Sequence, residues 1–322
     1  MDEINIQDIV SEFGKYYIDG GQNLSRVLTL LKQKSVTPTH ARPIITKDTL
    51  YRFANTHFGE IVQQFQEKFT HKGSAKFTPN EIQLRQWKVD YSFYPDKITE
   101  SWLGFLSDLN KEERKDWPIV RYILEVYLAP QIEHDLELKA YGKGVYEAPV
   151  DGVAGEASKV MDGLIEITKK GLVDPKKPMN NLVTALVPEK DNGVEFIETL
   201  LGSVDSEYLD FFKFKVFADP VYVKNFQKNY RDLWKEAPSY TEQKAIEVDF
   251  HPNVELVALP SLKGTKHIII TPADNFVDVR RKNGTNKPLI GVKDLRQVQT
   301  SIDGWEALGF GYNELVWVYK EA

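Results

Sequence analysis

The chain has 322 residues, of which 42% are hydrophobic, 12% aromatic and 27% charged. That apolar share is enough to build a core, so composition excludes wholesale disorder, and the length suggests about two domains. The formal net charge of −6 gives no overall attraction to nucleic acid, and the lack of cysteine excludes disulfides, thiolate nucleophiles and cysteine-ligated zinc.

Residues 1–20 contain no apolar h-region, and no run approaches the roughly 20 apolar residues of a membrane span. The expectation is a soluble protein made in a cytoplasm. Residues 1–48 read as an arm. Ile4 to Tyr17 is weakly helical, Gly20-Gly21 breaks it, and Leu24 to Leu31 forms a short apolar helix. Ser35 to Pro43 carries two prolines, which favour extended chain that cannot bury much of itself. Thr46 to Phe69 reads as helix, because Phe58, Ile61, Val62, Phe65 and Phe69 recur at helical spacing. Gln63, Gln64 and Gln66 take the other face, and Gly73 closes the segment.

The period then changes. Trp87 to Pro95 alternates apolar and polar residues, as a strand does. Pro95-Asp96 marks a turn, and Ile98 to Leu106 follows. Residues 72–106 read as a long hairpin-like excursion with aromatics on it. A hairpin packed on its own domain is the plainer alternative. Asp116-Trp117-Pro118 starts a helix, since Asp caps orphan amides and Pro is tolerated in the first turn. Its apolar face is Val120, Leu124, Tyr127, Leu128, Ile132 and Leu136. Pro130 should kink or interrupt it, and Gly142 and Gly144 end it.

Pro149-Val150-Asp151-Gly152 leads into a second domain. A helix is expected over 156–170, capped by Gly171 and stopped by Pro175. Asp191 or Asn192 caps a short helix that ends at Gly202. Asp219-Pro220 opens another, with Val223, Phe226, Tyr230 and Trp234 on one face. Glu247 to Phe250 and Val254 to Leu259 read as strands, and His267 to Thr271 as a buried strand. Pro272 to Asn275 turns the chain into Phe276 to Arg280. Asn283-Gly284 is a turn, and Glu314 to Lys320 is a terminal strand.

Chemistry is sparse. No phosphate-binding loop, dinucleotide fingerprint or nucleophile elbow occurs. Glu133-His134-Asp135 with Glu137 is the best metal candidate, because His134 and Glu137 share a helix face; a solvated acidic face is the plainer reading. Asp90, Asp96 and Glu100 read as turn charges and not as a general acid–base set. His57 and His251 read as packing histidines. Arg26, Lys32 and Lys34 lie on the arm near acidic residues, so specific DNA contact is not expected there.

The order of these pieces resembles the major capsid proteins of tailed bacteriophages, the Hong Kong ninety-seven-type fold. Ile268 to Val277, Trp305 to Tyr312 and the final strand are similar to the family's closing segments. The resemblance implies an α+β shell fold. It places an N-terminal arm and helix at 1–71 and an extended E-loop at 72–106. A peripheral domain with a long spine helix falls at 107–149 and 266–322, and an axial domain at 150–265. It implies a structural, non-enzymatic subunit that self-assembles into pentamers and hexamers of an icosahedral virion shell built in the host cytoplasm. Such a shell encloses DNA without sequence-specific binding. Scaffolding, portal and decoration proteins are the further partners implied; no cofactor, metal or membrane is. Trp87, Tyr91, Phe93, Trp102 and Phe105 are the candidate intersubunit contacts on the excursion, which should then not be folded back on its own domain. A nanocompartment shell, a metal-dependent hydrolase and a monomeric adaptor are the alternatives.

Overall fold

The computed structural model describes residues 35–94, 103, 119–236, 238–239, 245–248, 251–282, 289–294 and 297–320. In chain order these hold α1 (Val36–Thr39), β1 (Arg42–Thr46), β2 (Leu50–Phe53), β3 (Thr56–Phe58), β4 (Ala75–Phe77), β5 (Asn80–Gln83) and β6 (Arg85–Phe93). A continuous helical run over 119–141, here α2, follows. Then come α3 (Leu164–Leu172), β7 (Asn180–Leu182), α4 (Gly193–Leu201), α5 (Ser206–Phe211), β8 (Phe214–Ala218) and α6 (Pro220–Trp234). The chain closes with β9 (Ile246–Val248), β10 (His251–Ala258), β11 (His267–Pro272), β12 (Phe276–Arg281), β13 (Leu289–Asp294), β14 (Gln297–Phe310) and β15 (Trp317–Lys320). Among the described residues no helix is long and apolar enough to cross a membrane.

Two sheets organise the molecule. One runs β1-β12-β14-β13, with β6 paired to the other edge of β14. The second runs β7-β15-β11-β8-β10-β9. One core lies between them and α2, and it draws Phe276, Phe310 and Ile302 from the first sheet and Phe217, Ile269 and Val318 from the second. The opposite face of the second sheet meets α4, α5 and α6 through Phe214, Val216, Ile268 and Ile270. Both faces of β11 are therefore covered, which is why His267 to Thr271 is an unbroken buried run. The opposite face of the first sheet offers Val277, Val279 and Ala307 to a third, small core.

Local signals explain several elements. Asp219 Oδ1 accepts from the Val221 amide at 2.8 Å and Pro220 takes the first turn of α6, whose Val223, Phe226 and Tyr230 are buried. In α2 the segments Ile123–Leu128 and Leu136–Tyr141 are π-helical. The first of these ends two residues before Pro130. A π turn takes up the steric conflict of a proline lacking its N–H without ending the helix. The widened turns also rotate the buried face, so Tyr127, expected on the apolar stripe, is about half exposed and its hydroxyl lies 3.2 Å from that of Tyr122.

Four expectations are corrected. First, Thr46 to Phe69 is not a helix. Leu50–Phe53 pairs antiparallel with Asn80–Gln83, and Thr56–Phe58 with Ala75–Phe77. Helical spacing states only that side chains could share a face; a short helix needs a surface on which to bury that face, and among the described residues Ile61, Val62, Phe65 and Phe69 are left exposed. Second, a two-stranded excursion spans 50–83, and within the expected 72–106 excursion residues 85–93 pair with β14, while 95–102 and 104–106 lie outside the described residues. Third, Ser35, Thr37, His40 and Ala41 are buried, and β1 pairs parallel with β12, so this part of the expected arm belongs to the body. Fourth, the helix expected over 156–170 is a short turn at Ala157–Lys159 followed by α3. Gly171 lies inside its last turn, where a Cβ would come within 2.5 Å of Met179 Sδ.

Candidate assembly surfaces

The excursion is a hairpin zipped from its base outward. Leu84 N donates to Thr49 O at 2.8 Å, Thr78 N to Asn55 O at 2.9 Å, and Gly59 N to Ser74 O at 2.9 Å. Beyond that rung, residues 60–73 form a tip without regular strands. Polar groups fasten it: Lys72 Nζ lies 2.8 Å from Glu60 Oε1, and Gln63 Nε2 donates to Thr70 O at 2.8 Å. Gly73 turns the chain with a φ of 94°, a left-handed conformation that disfavours any side chain. The apolar side chains are left outside. Phe65 is 94% exposed, Phe69 91% and Val62 77%, with Ile61 and Phe77 also mostly exposed. Each such side chain is worth about 1.5–3 kcal/mol on full burial. Exposed apolar side chains gathered in one short tip make it a candidate contact surface, since monomers rarely leave large apolar patches bare.

The base of the hairpin packs on the first sheet. Ile82 and Leu84 are buried with Val277, Val279 and Ala307, and Tyr51 and Phe53 pack against them. Ile82 lies directly over Gly309, where a Cβ would come within 2.4 Å of its Cδ1. Asn55 and Asn80, both buried, bind the backbone of the segment that leaves β14: Asn55 Nδ2 donates to Gly311 O and Asn80 Nδ2 to Phe310 O, each at 2.7 Å.

The expected contact residues fall elsewhere. β6 pairs with β14 over all nine positions, from Arg85↔Glu306 to Phe93↔Val298. Trp87, Val89, Tyr91 and Phe93 share the face turned toward α2. Phe93 is 3% exposed and belongs to the main core, so the expectation that it meets a neighbouring subunit is corrected. Trp87 is half-buried against the same core and packs over Gly304, while Tyr91 is 42% exposed. Trp102 and Phe105 lie outside the described residues, as do Asp96 and Glu100. The strand at 85–93 is folded on its own chain, and the most exposed aromatic side chains lie at the hairpin tip instead. Sequence reasoning missed the tip because its apolar spacing mimics a helix. The signal available was its flanks: a β-prone run at Leu50–Phe53 before it and Lys72-Gly73-Ser74 after it.

The acidic residues are engaged in structural pairs. Glu137 is buried, its Oε1 accepting from Thr37 Oγ1 at 2.7 Å and its Oε2 from Thr37 N at 3.0 Å. Burial raises its pKa above the ordinary value, and the hydrogen bonds from Thr37 oppose that rise. His134 is exposed, and among the described residues no three His, Cys, Asp or Glu side chains are placed to hold a metal. Glu137 is thus not part of a solvated face. Asp90 accepts from Ser301 at 2.6 Å and pairs with Lys88 at 2.7 Å. These hydrogen bonds hold its carboxyl below the usual range.

No protein-family model matches the chain, and no curated protein matches it. Solved structures do. A chain of the satellite phage P4 procapsid, from a structure that includes the size determination (Sid) protein, is 12% identical with a TM-score of 0.58. The match covers 98% of this chain and 97% of that one. A capsid chain of the empty GTA particle is 8% identical with a TM-score of 0.53, covering 90% of this chain and 97% of its own. One from the native GTA particle is 10% identical with a TM-score of 0.52, covering 90% and 91%. Matched over nearly its whole length, the chain has the mixed helix-and-sheet phage-capsid shell fold, of the Hong Kong ninety-seven type.

Proposed function

We propose that this chain is the major shell subunit of a bacteriophage capsid, a structural protein that assembles with copies of itself into pentamers and hexamers around a genome. The observation that carries the reading is the conjunction of a capsid-type fold over nearly the whole chain with a hairpin whose tip leaves Phe65 and Phe69 bare. In this reading the sheet holding β14, together with α2, is the peripheral domain. The sheet holding β11, with α4, α5 and α6, is the axial domain. Residues 50–83 reach a neighbouring subunit, and so does the arm that precedes Ser35. Contacts that repeat head to tail close into rings. A net charge of −6 suits a wall that surrounds DNA without gripping its sequence. Scaffolding, portal and decoration proteins are the partners such a shell would meet, and the virion is its location.

The test is electron microscopy and sedimentation of the purified chain, alone and with its candidate scaffold, beside the double variant Phe65→Asp, Phe69→Asp. Closed shells from the natural sequence, and a variant that stays folded but makes none, are expected. A natural chain that remains monomeric at high concentration, with crowding agents and with scaffold, overturns the reading. Shells isolated from cells with protein cargo and no nucleic acid would overturn its genome-enclosing part.

A further inference from the structure

Two short chain crossings join the two sheets, and both pass through a cluster of buried amides. One crossing is Pro272 to Asn275, between β11 and β12; the other is residues 311–316, between β14 and β15. Asn275 locks them together. Its Oδ1 accepts from Tyr312 N at 2.7 Å, its Nδ2 donates to Tyr312 O at 2.8 Å, and its carbonyl accepts from Gly311 N at 2.9 Å.

Besides the apolar packing of its base, the hairpin is tied to that same junction by hydrogen bonds at one level. Its strands are interrupted at residues 54–55 and 78–79, between the β2–β5 and β3–β4 rungs. Asn55 holds Gly311 O from one strand. Asn80 holds Phe310 O from the other, and also donates to Asn313 Oδ1 at 3.1 Å. Lys177 closes the ring: its Nζ donates to Pro79 O and to Asn80 Oδ1, each at 2.7 Å, while its own carbonyl accepts from Asn313 Nδ2 at 3.3 Å. Asn55, Asn80, Asn275 and Asn313 are all buried. In such surroundings each hydrogen bond is strengthened and each unmade one is costly, so the junction has one satisfied arrangement. Outward of it, among the described residues, the hydrogen bonds and ion pairs of the hairpin run within the hairpin itself.

We propose that Asn55, Asn80 and Lys177 are positioning residues that fix the direction in which the hairpin leaves the body, and that this direction selects the shell the subunits build. The proposal rests on the reading of the chain as a shell subunit. A direction set at the base is carried rigidly to the tip, where Phe65 and Phe69 must meet a neighbour. A loosened base lets one subunit present its tip at many angles.

Hydrogen exchange on the unassembled chain tests the first half, with Asn80→Asp and Lys177→Met as variants. The Asn80 exchange removes the donor to Phe310 O but keeps the oxygen that Lys177 binds, and Lys177→Met spares the buried amides should Asn80→Asp fold poorly. Asn180→Asp is the control, because Asn180 Nδ2 holds Glu314 O at 2.8 Å in the same crossing without touching the hairpin. Amides of 50–58 and 75–83 should exchange about tenfold or more faster in the two variants, with β8 and β11 unchanged, and stay protected in the control. Electron microscopy of assembled variants tests the second half: shells of mixed diameter or open sheets are expected. Unchanged hairpin exchange overturns the positioning role, and accelerated exchange with shells of natural size and yield overturns the claim that the hairpin's direction selects the shell. If the natural chain makes no shells, the shell reading fails on its own, and the exchange result still decides whether the junction orients the hairpin.

Discussion

Arg280 faces two carboxylates, with Nη2 2.8 Å from both Asp278 Oδ2 and Glu306 Oε1, and the Tyr141 hydroxyl donates to the same Glu306 oxygen at 3.1 Å. Two buried carboxylates against one guanidinium leave a surplus negative charge, which is expensive away from water. Burial first and the Glu306 charge second push Asp278 up to about 8 from 3.8, against the pull of Arg280. Below the lower of these values folded and unfolded chains both hold the proton. Between the two only the folded chain holds it, so raising the pH removes stability, by up to about 1.4 kcal/mol per pH unit for this group. Asp278→Asn is neutral throughout and should lose stability less steeply between pH 5 and 8 in urea unfolding. Parallel slopes for the two proteins would mean that folded Asp278 is already ionised. None of this was legible beforehand. Arg280 meets Glu306 only through the β12–β14 register, and Glu137 finds its donor in Thr37, one hundred positions away. Residue types along one segment carry no trace of such partners.

At the scale of elements, strong local chemistry was legible and long-range choice was not. Asp219-Pro220 opens α6 where its cap and proline said it would, and Pro272 to Asn275 turns β11 into β12. The error at 46–69 came from reading a period where partners decide. Phe65 and Phe69 keep helical spacing, yet the chain around them was free to pair as strands. β6 is the complementary case: the period was right and the destination was not. Alternation identified the strand, but only pairing with β14 shows that its apolar face points inward at Phe93 and opens to solvent at Tyr91. This yields a prediction on the unassembled chain. Phe93→Ala should cost about 3–5 kcal/mol, as loss of a buried aromatic does. Tyr91→Ala should cost about 1 kcal/mol or less. Urea unfolding checks both, and a Phe93 variant as stable as the natural chain would return that residue to the surface.

At the scale of the whole molecule, residues 35–46 stitch the two sheets together. Thr37 is fully buried between Glu137 of α2 and Ser261, whose Oγ lies 2.7 Å from its Oγ1. His40 stacks edge-on to Phe217 of the second sheet, with ring centroids 6.4 Å apart, and its carbonyl accepts from Lys215 Nζ at 3.2 Å. Arg42–Thr46 then joins the first sheet beside β12. Two truncations separate this stitch from the arm before it. Removing residues 1–34 keeps every one of these contacts and serves as the reference. Removing residues 1–40 also takes away Thr37, and with it the hydroxyl and amide that donate to Glu137. Hydrogen bonds to a buried charge are the costly ones to lose, and this second truncation should be less stable than the first by at least about 2 kcal/mol in urea unfolding. Equal stabilities would show that Thr37 contributes nothing to holding Glu137, and that the stitch resides in β1 alone.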